Sequence, residues 1–259
     1  MLMDSRKAAA EEILSVATYN IHSCTDLFRR ENPRSIANVI RSLDPDVVAL
    51  QEVAFLRRQR MSHIRNQAEW IASYLNMNYY FYPLRPMRWG FFGLALLSKR
   101  PLSKVKTALL PEDKRIKEVR GAMWYGLETS RGRLHIINTH LALGQSDRLL
   151  QIRRLLSTEW LGQIPAEEAV VFCGDLNAAA SSPIYRVLSE KYQDVQTQTR
   201  QWGYPRMTFI SFSPLLRLDH IFISRHLKTL AVKVPFGLSA RIASDHLPLL
   251  ARLAVSTPG

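Results

Sequence analysis

Six short apolar segments of this chain each meet an Asn, Asp, Glu or His at one end, and this recurrence constrains the fold more than any other feature. Asn20 lies at the end of residues 14–21, and Gln51-Glu52 follow residues 46–50. Asn138-Thr139-His140 follow residues 134–137, and Gly174-Asp175-Leu176-Asn177 follow residues 169–173. Leu218-Asp219-His220 open residues 218–223, and Ser244-Asp245-His246 precede Leu247-Pro248-Leu249. Runs this short and this apolar read as strands buried on both faces. A charge or amide at the mouth of a buried strand is costly unless it is paired or used. One such group is an ordinary loop start; six point to a single shared place.

Helix-like segments lie between these strands. Asn32-Pro33 offers an N-cap with Pro in the first turn, and Ile36, Val39, Ile40 and Leu43 follow at helical spacing until Asp44-Pro45. Further helices are predicted over residues 61–75, 145–161 and 183–188. Strands are predicted over 78–82, 92–98, 105–110, 119–128, 133–139, 230–234 and 247–255. Crossover units early and consecutive strands in the middle suit two sheets packed face to face with helices outside. A Rossmann domain would carry a Gly-rich loop after its first strand, and none stands there. With 259 residues the chain is long enough for one substantial core. Residues 1–12 read as a lead-in and 13–259 as a single domain. The two cysteines, Cys24 and Cys173, have no zinc-type spacing. No signal peptide or membrane span is read from the sequence, so a cytoplasmic monomer is the expectation.

The residue types at the strand mouths fit one chemistry. Asn20, Glu52, Asp175, Asn177 and Asp245 offer only oxygen as metal ligands, which suits Mg²⁺, with Mn²⁺ or Ca²⁺ as alternatives. His140 and His246 suit acid–base or phosphate-contact roles. The combination points to metal-assisted attack of water on phosphorus.

Taken together, Ala17-Thr18-Tyr19-Asn20-Ile21-His22, residues 45–53 ending in Gln51-Glu52-Val53, Asn138-Thr139-His140, Gly174-Asp175-Leu176-Asn177, Leu218-Asp219-His220-Ile221-Phe222 and Ser244-Asp245-His246-Leu247-Pro248 resemble the endonuclease/exonuclease/phosphatase superfamily, the DNase I-like metal-dependent phosphohydrolases. The resemblance covers roughly residues 14 to 255 and implies an α/β fold, a four-layer α/β/β/α sandwich. It implies Glu52 as the main Mg²⁺ ligand, helped by Asn20 and Asp245, the latter positioning metal or His246. Asp175 would orient or deprotonate the attacking water, and Asn177 would donate to the phosphate oxygens. His246 would contact the scissile phosphate, with Asp219 holding its ring. His140 matches the second histidine, near the leaving group, and Arg120 resembles a phosphate-binding arginine of some branches. The sequence departs from the DNase I-like branch in having no acid near Phe92, so His140 is expected as a phosphate contact and not as a carboxylate-tuned acid. The Tyr that the abasic-site nuclease branch places near this histidine is also missing. His22, two residues past Asn20, would share its face in a strand and either touch substrate or cap the mouth. His63, His135 and His226 read as surface or loop residues.

Charge speaks to the substrate. Lys and Arg number 35 against 22 Asp and Glu, a formal net charge of +13, which favours anionic partners. Arg57, Arg58 and Arg60 follow Glu52 and are expected to flank the metal on a substrate-binding loop. A phosphodiester in nucleic acid is the favoured substrate class. The same chemistry on a phospholipid or soluble phosphoester is the alternative, and an exposed apolar loop at Trp89-Gly90-Phe91-Phe92 would favour a membrane surface. A binding module that has lost catalysis is the third reading; the presence of Asn20, Glu52, Asp175, Asn177 and His246 weighs against it.

Overall fold

The computed structural model describes residues 11–56, 64–88, 90–112, 118–199, 203 and 206–255. Twelve strands form two six-stranded sheets. The first sheet holds β1 (Glu12–Asn20), β2 (Val47–Leu56), β3 (Asn78–Met87), β4 (Gly90–Ser98), β11 (Leu227–Lys233) and β12 (Leu249–Val255), in the order β11-β12-β1-β2-β4-β3. The second holds β5 (Ser103–Leu109), β6 (Gly121–Thr129), β7 (Gly132–His140), β8 (Ala169–Asp175), β9 (Gln193–Asp194) and β10 (Asp219–Ile223), in the order β5-β6-β7-β8-β10-β9. Each sheet has one parallel pair at its centre, β1 with β2 and β7 with β8, and antiparallel partners outside it. The parallel pairs need crossovers, which α1 (Pro33–Leu43) and α3 (Gln145–Leu156) supply. The four-layer sandwich expected from the sequence is the observed architecture.

Side-chain alternation sets the layers. Val171, Cys173, Ile221 and Ile223 face the inter-sheet core, while Phe172 and Phe222 face outward onto Ile152, Leu155, Ile184 and Leu188 of α3 and α4 (Pro183–Ser189). Both faces are therefore dry, which is why these strands read as continuous apolar runs. α1 lies outside the first sheet, beside α2 (Gln67–Leu75) and α6 (Leu238–Ala243). As predicted, Asn32 caps α1, accepting from Ser35 N at 3.0 Å.

The structure differs from the sequence reading in several places. The helix predicted over 61–75 begins only at Gln67. Residues 61–63 lie outside the described residues, while Arg65 and Asn66 pair with the end of β2 and Asn66 caps the helix. Helix α3 ends at Leu156, short of residue 161. Gly90, Phe91 and Phe92 belong to strand β4 and not to an exposed loop: Phe91 lies against Phe55 with ring centroids 6.5 Å apart, and Trp89 lies outside the described residues. His135 is neither surface nor loop. It is buried in β7, accepts from Trp124 Nε1 at 2.9 Å and pairs with Glu168.

A polar peg joins the sheets. Gln51 donates to Asn138 Oδ1 at 2.8 Å, and Asn138 donates to the carbonyls of Leu50 at 3.0 Å and Ala95 at 2.9 Å. All of these groups are fully buried. Pairing of this kind satisfies polar atoms that would otherwise be stranded between two apolar faces.

Candidate active site

The C-terminal ends of both parallel pairs open at the same end of the sandwich. On the first sheet, β2 changes register against β4 between Leu50 and Val53, and Glu52 takes a left-handed φ of 58°. Such a bulge re-aims a side chain at a cost in backbone strain. Here Gln51 enters the inter-sheet space and Glu52 turns to the mouth, where its Oε1 accepts from Asn20 Nδ2 at 3.1 Å.

On the second sheet, register does the positioning. His140 on β7, Asp175 on β8 and Asp219 on β10 stand in one row across three neighbouring strands. At Gly174, φ is +145°, and a Cβ would lie 1.9 Å from the carbonyl oxygen of Thr139, so only glycine brings Asp175 to this place. Asp175 is the hub. Its Oδ2 accepts from Asn20 Nδ2 at 3.0 Å and lies 3.4 Å from His140 Nε2 and 3.7 Å from His246 Nε2. Its Oδ1 accepts from the backbone N–H of Asn177 at 2.9 Å. Burial, together with the charge of Asp219, lifts the Asp175 carboxyl to about 6, against the pull of His246 and two hydrogen bonds.

His246 comes from the segment before β12. Its Nδ1 pairs with Asp219 Oδ2 at 2.8 Å, and its ring lies on Phe209 at 4.8 Å between centroids. Burial works against its charge, but Asp219 and Asp175, with Asp245, outweigh that and raise it to about 10. His246 is therefore an imidazolium at neutral pH. His140 goes the other way: burial, then the charges of Arg120 and His246, hold it well below the ordinary histidine value. Arg120 donates to His140 Nδ1 at 3.0 Å, which leaves the ring proton on Nε2, the side of Asp175. Asn177 Nδ2 lies 3.0 Å from that same nitrogen and donates to the Leu141 carbonyl at 2.9 Å.

The structure brings together Asn20, Glu52, His140, Asp175, Asn177, Asp219 and His246. Other expectations land elsewhere. Asp245 faces His22 at 3.8 Å and Ser244 Oγ at 3.3 Å, at the half-exposed edge of the site. His22 is not on a continued strand: φ is 45°, and its backbone N–H donates to Asn20 Oδ1 at 3.1 Å. Arg120 is largely buried and bound to His140 and Glu118, so it holds a histidine as well as bordering the mouth. Arg57, Arg58 and Arg60 lie outside the described residues. Three further groups, to which the sequence reading gave no individual role, reach the site. Glu118 pairs with Arg120 and accepts from Leu143 N at 3.0 Å. Ser244 donates to the carbonyl of Asn20 at 2.8 Å. Arg85, stacked 5.5 Å above Phe92, lines with Glu52, Glu118 and Arg120 a cleft of about 210 Å³. Only Glu118 left a signal, an acid two residues from Arg120 and so on the same side of an extended chain.

The donor set fits a hard divalent cation. Glu52 and Asp175 are two carboxylates held against one amide, and among the described residues Glu52 forms no salt bridge. Asp175 and Asp219 place carboxylate oxygens within 4.8 Å of one another, both buried, beside His246, which as an imidazolium has no lone pair for a metal. An oxygen-rich mouth of this kind, with few carboxylates, matches the preferences of Mg²⁺.

A family model described as Endonuclease/Exonuclease/phosphatase family matches residues 17–246. The chain belongs to that family. Its members are phosphohydrolases, generally metal-dependent. YbhP of Escherichia coli (strain K12), described as an uncharacterized protein, is 27% identical over 249 residues, 92% of this chain and 95% of YbhP. An endonuclease/exonuclease/phosphatase from Beutenbergia cavernae DSM 12333 superposes with a TM-score of 0.74 at 21% identity, over 95% of this chain and 72% of that one. The catalytic domain of human nocturnin, solved with a bound sulfate anion, superposes with a TM-score of 0.71 at 20% identity, over 95% and 97% of the two chains. At these identities the structural likeness is one of fold.

Proposed function

We propose that the chain is a divalent-metal-dependent phosphodiester hydrolase in which Asp175 orients and deprotonates the attacking water. The observation that carries this reading is the Asp175 hub: a buried carboxylate beside one imidazolium and one neutral imidazole, joined through Asn20 to Glu52. A carboxyl lifted to about 6 is a stronger base than an ordinary aspartate and is still ionised at neutral pH. His246, locked by Asp219, presents fixed positive charge to a phosphoryl oxygen, and Asn177 adds an amide donor. His140, oriented by Arg120, offers Nε2–H on the same side and supports the departing oxygen. Glu52 and Asn20 would hold the metal, which supplies charge neutralisation at phosphorus and a more acidic water.

The net charge of +13 supports a polyanionic substrate, nucleic acid first. A phospholipid is the second reading, supported by an apolar rim beside His246. Hydrolysis of a bis-aryl phosphodiester with and without Mg²⁺, alongside DNA, RNA and phospholipid, tests the proposal. Turnover is expected to need Mg²⁺ and to stop with EDTA, and Asp175→Asn is expected to lose roughly 10²–10⁴-fold in kcat, the scale of a positioned base. Undiminished turnover in excess EDTA, or a wild-type rate in Asp175→Asn, overturns it.

A further inference from the structure

We propose that the face bordering His246 docks on an anionic phospholipid bilayer, so that the catalytic mouth works at a membrane surface. The loop over residues 209–216 and the turn into α6 expose Ile210, Phe212, Leu215, Leu216, Phe236 and Leu238, with Leu215 at 71% and Leu238 at 64% of full exposure. They lie on two segments bridged by one arginine. Arg241 stacks on Phe212 at 4.3 Å and on Phe236 at 4.7 Å, and Met207, Pro214 and Phe236 share an apolar cavity of about 320 Å³ with Leu247. An exposed apolar patch beside a functional site marks an interaction surface.

The patch is fastened to the catalytic segment. Ser211 N donates to the carbonyl of Asp245 at 2.8 Å, Leu247 N donates to the carbonyl of Thr208 at 2.8 Å, and the Phe209 ring lies on His246. Whatever covers the rim therefore sits at the mouth.

Charge selects the occupant. Residues 195–244 hold seven Lys or Arg, of which Arg217 is buried against Asp194, and a single acid, Asp219, buried in the site; half-exposed Asp245 stands just beyond. Arg241 carries its guanidinium on the two phenylalanines, and Arg206 borders the apolar cavity. Aromatic and aliphatic side chains flanked by two arginines match a membrane interface, where chains and headgroups lie a few ångströms apart. Nucleic acid would use the charge and leave the Leu and Phe tips in water. An anionic bilayer satisfies both at once, whichever phosphodiester is cut, and binding is read without turnover.

The test is flotation of the full chain with vesicles of phosphatidylglycerol and phosphatidylcholine at low salt, against phosphatidylcholine alone. The wild type is expected to float with the anionic vesicles. The variant Phe212→Ser/Leu215→Ser/Leu238→Ser is expected to bind them about tenfold more weakly or worse, since three apolar tips are lost, while soluble phosphodiester turnover stays unchanged. A second readout keeps the result independent of the triple variant. Cys24 and Cys173 are buried, so an environment-sensitive dye on Leu215→Cys reports this tip alone. Its emission is expected to shift to the blue with anionic vesicles and not with duplex DNA. A wild type that stays unbound, equal binding by the triple variant, or an unshifted dye overturns the proposal. So does a wild-type dimer that the triple variant dissolves, or a loss confined to DNA affinity.

Discussion

Asp219 shows how one residue sets the character of another. Its Oδ2 holds His246, and among the described residues its buried Oδ1 has no hydrogen-bond partner, so its side-chain hydrogen bond goes to that one imidazole while its charge also lifts Asp175. Asp219→Asn keeps the shape and removes the charge. Turnover is expected to fall roughly 10- to 100-fold, the scale of losing a carboxylate that orients a histidine, and less than for Asp175→Asn. Steady-state kinetics of the two variants side by side check this order; equal rates for Asp219→Asn and wild type would refute the pairing. Much of the site was legible in the sequence, because a polar residue that interrupts a buried strand has nowhere else to go. Asn20, Glu52, His140, Asp175, Asn177, Asp219 and His246 all left that mark. Glu118, Ser244 and Arg85 were given no role: Glu118 left only its two-residue spacing from Arg120, and a serine beside Asp245 or one more arginine in a basic stretch is too common to single out. Asn138 and Gln51 left the same mark as the groups at the mouth and serve as the peg between the sheets, so the pattern finds the mouth without sorting its tenants.

At the scale of elements, local rules were readable and exceptions to them were not. Asn32-Pro33 announced α1, and the unbroken apolar run of residues 169–173 announced β8. The bulge that turns Glu52 outward, the two-residue β9 and the short α6 depend on contacts distant in sequence. β9 ends at Asp194, which ties several elements together. Asp194 accepts from Arg217 at 2.6 Å, from Tyr185 Oη at 2.8 Å and from Gln196 N at 2.9 Å, and lies 3.7 Å from His220 Nδ1. Burial opposes its charge, but His220, Arg217 and the Gln196 N–H win and hold the carboxyl below its usual value. A depressed carboxyl contributes stability above the unfolded-state pKa, about 4, and loses it as pH falls through the lower folded value. Asp194→Asn leaves buried Arg217 without a counter-charge and is expected to cost about 3–5 kcal/mol at neutral pH. Urea unfolding of wild type and variant at neutral and strongly acidic pH checks it. The gap should narrow in acid; a gap independent of pH would mean that packing, and not charge, holds this corner.

For the whole molecule, the net charge of +13 is a statement about partners, and its sharpest probe is salt. If nucleic acid is the substrate, neutralising Arg57, Arg58 and Arg60 is expected to raise KM with kcat nearly unchanged. The slope of log affinity against log salt should then flatten by up to about 0.9 per lost duplex contact. Titration of duplex DNA across salt concentrations measures this, and an unchanged slope would show these arginines to be spectators. Among the described residues no helix is long and apolar enough to cross a membrane. Asn20 and Glu52 ride on one sheet, while His140, Asp175 and Asp219 ride on the other, with the Gln51–Asn138 peg below them. Neither slab owns the chemistry, so the 3.0 Å from Asn20 to Asp175 is also a ruler of how the slabs are stacked. A cosolvent, a pressure step or a trimmed core side chain that slides one slab across the other is expected to silence the proposed hydrolysis while every strand is still in place.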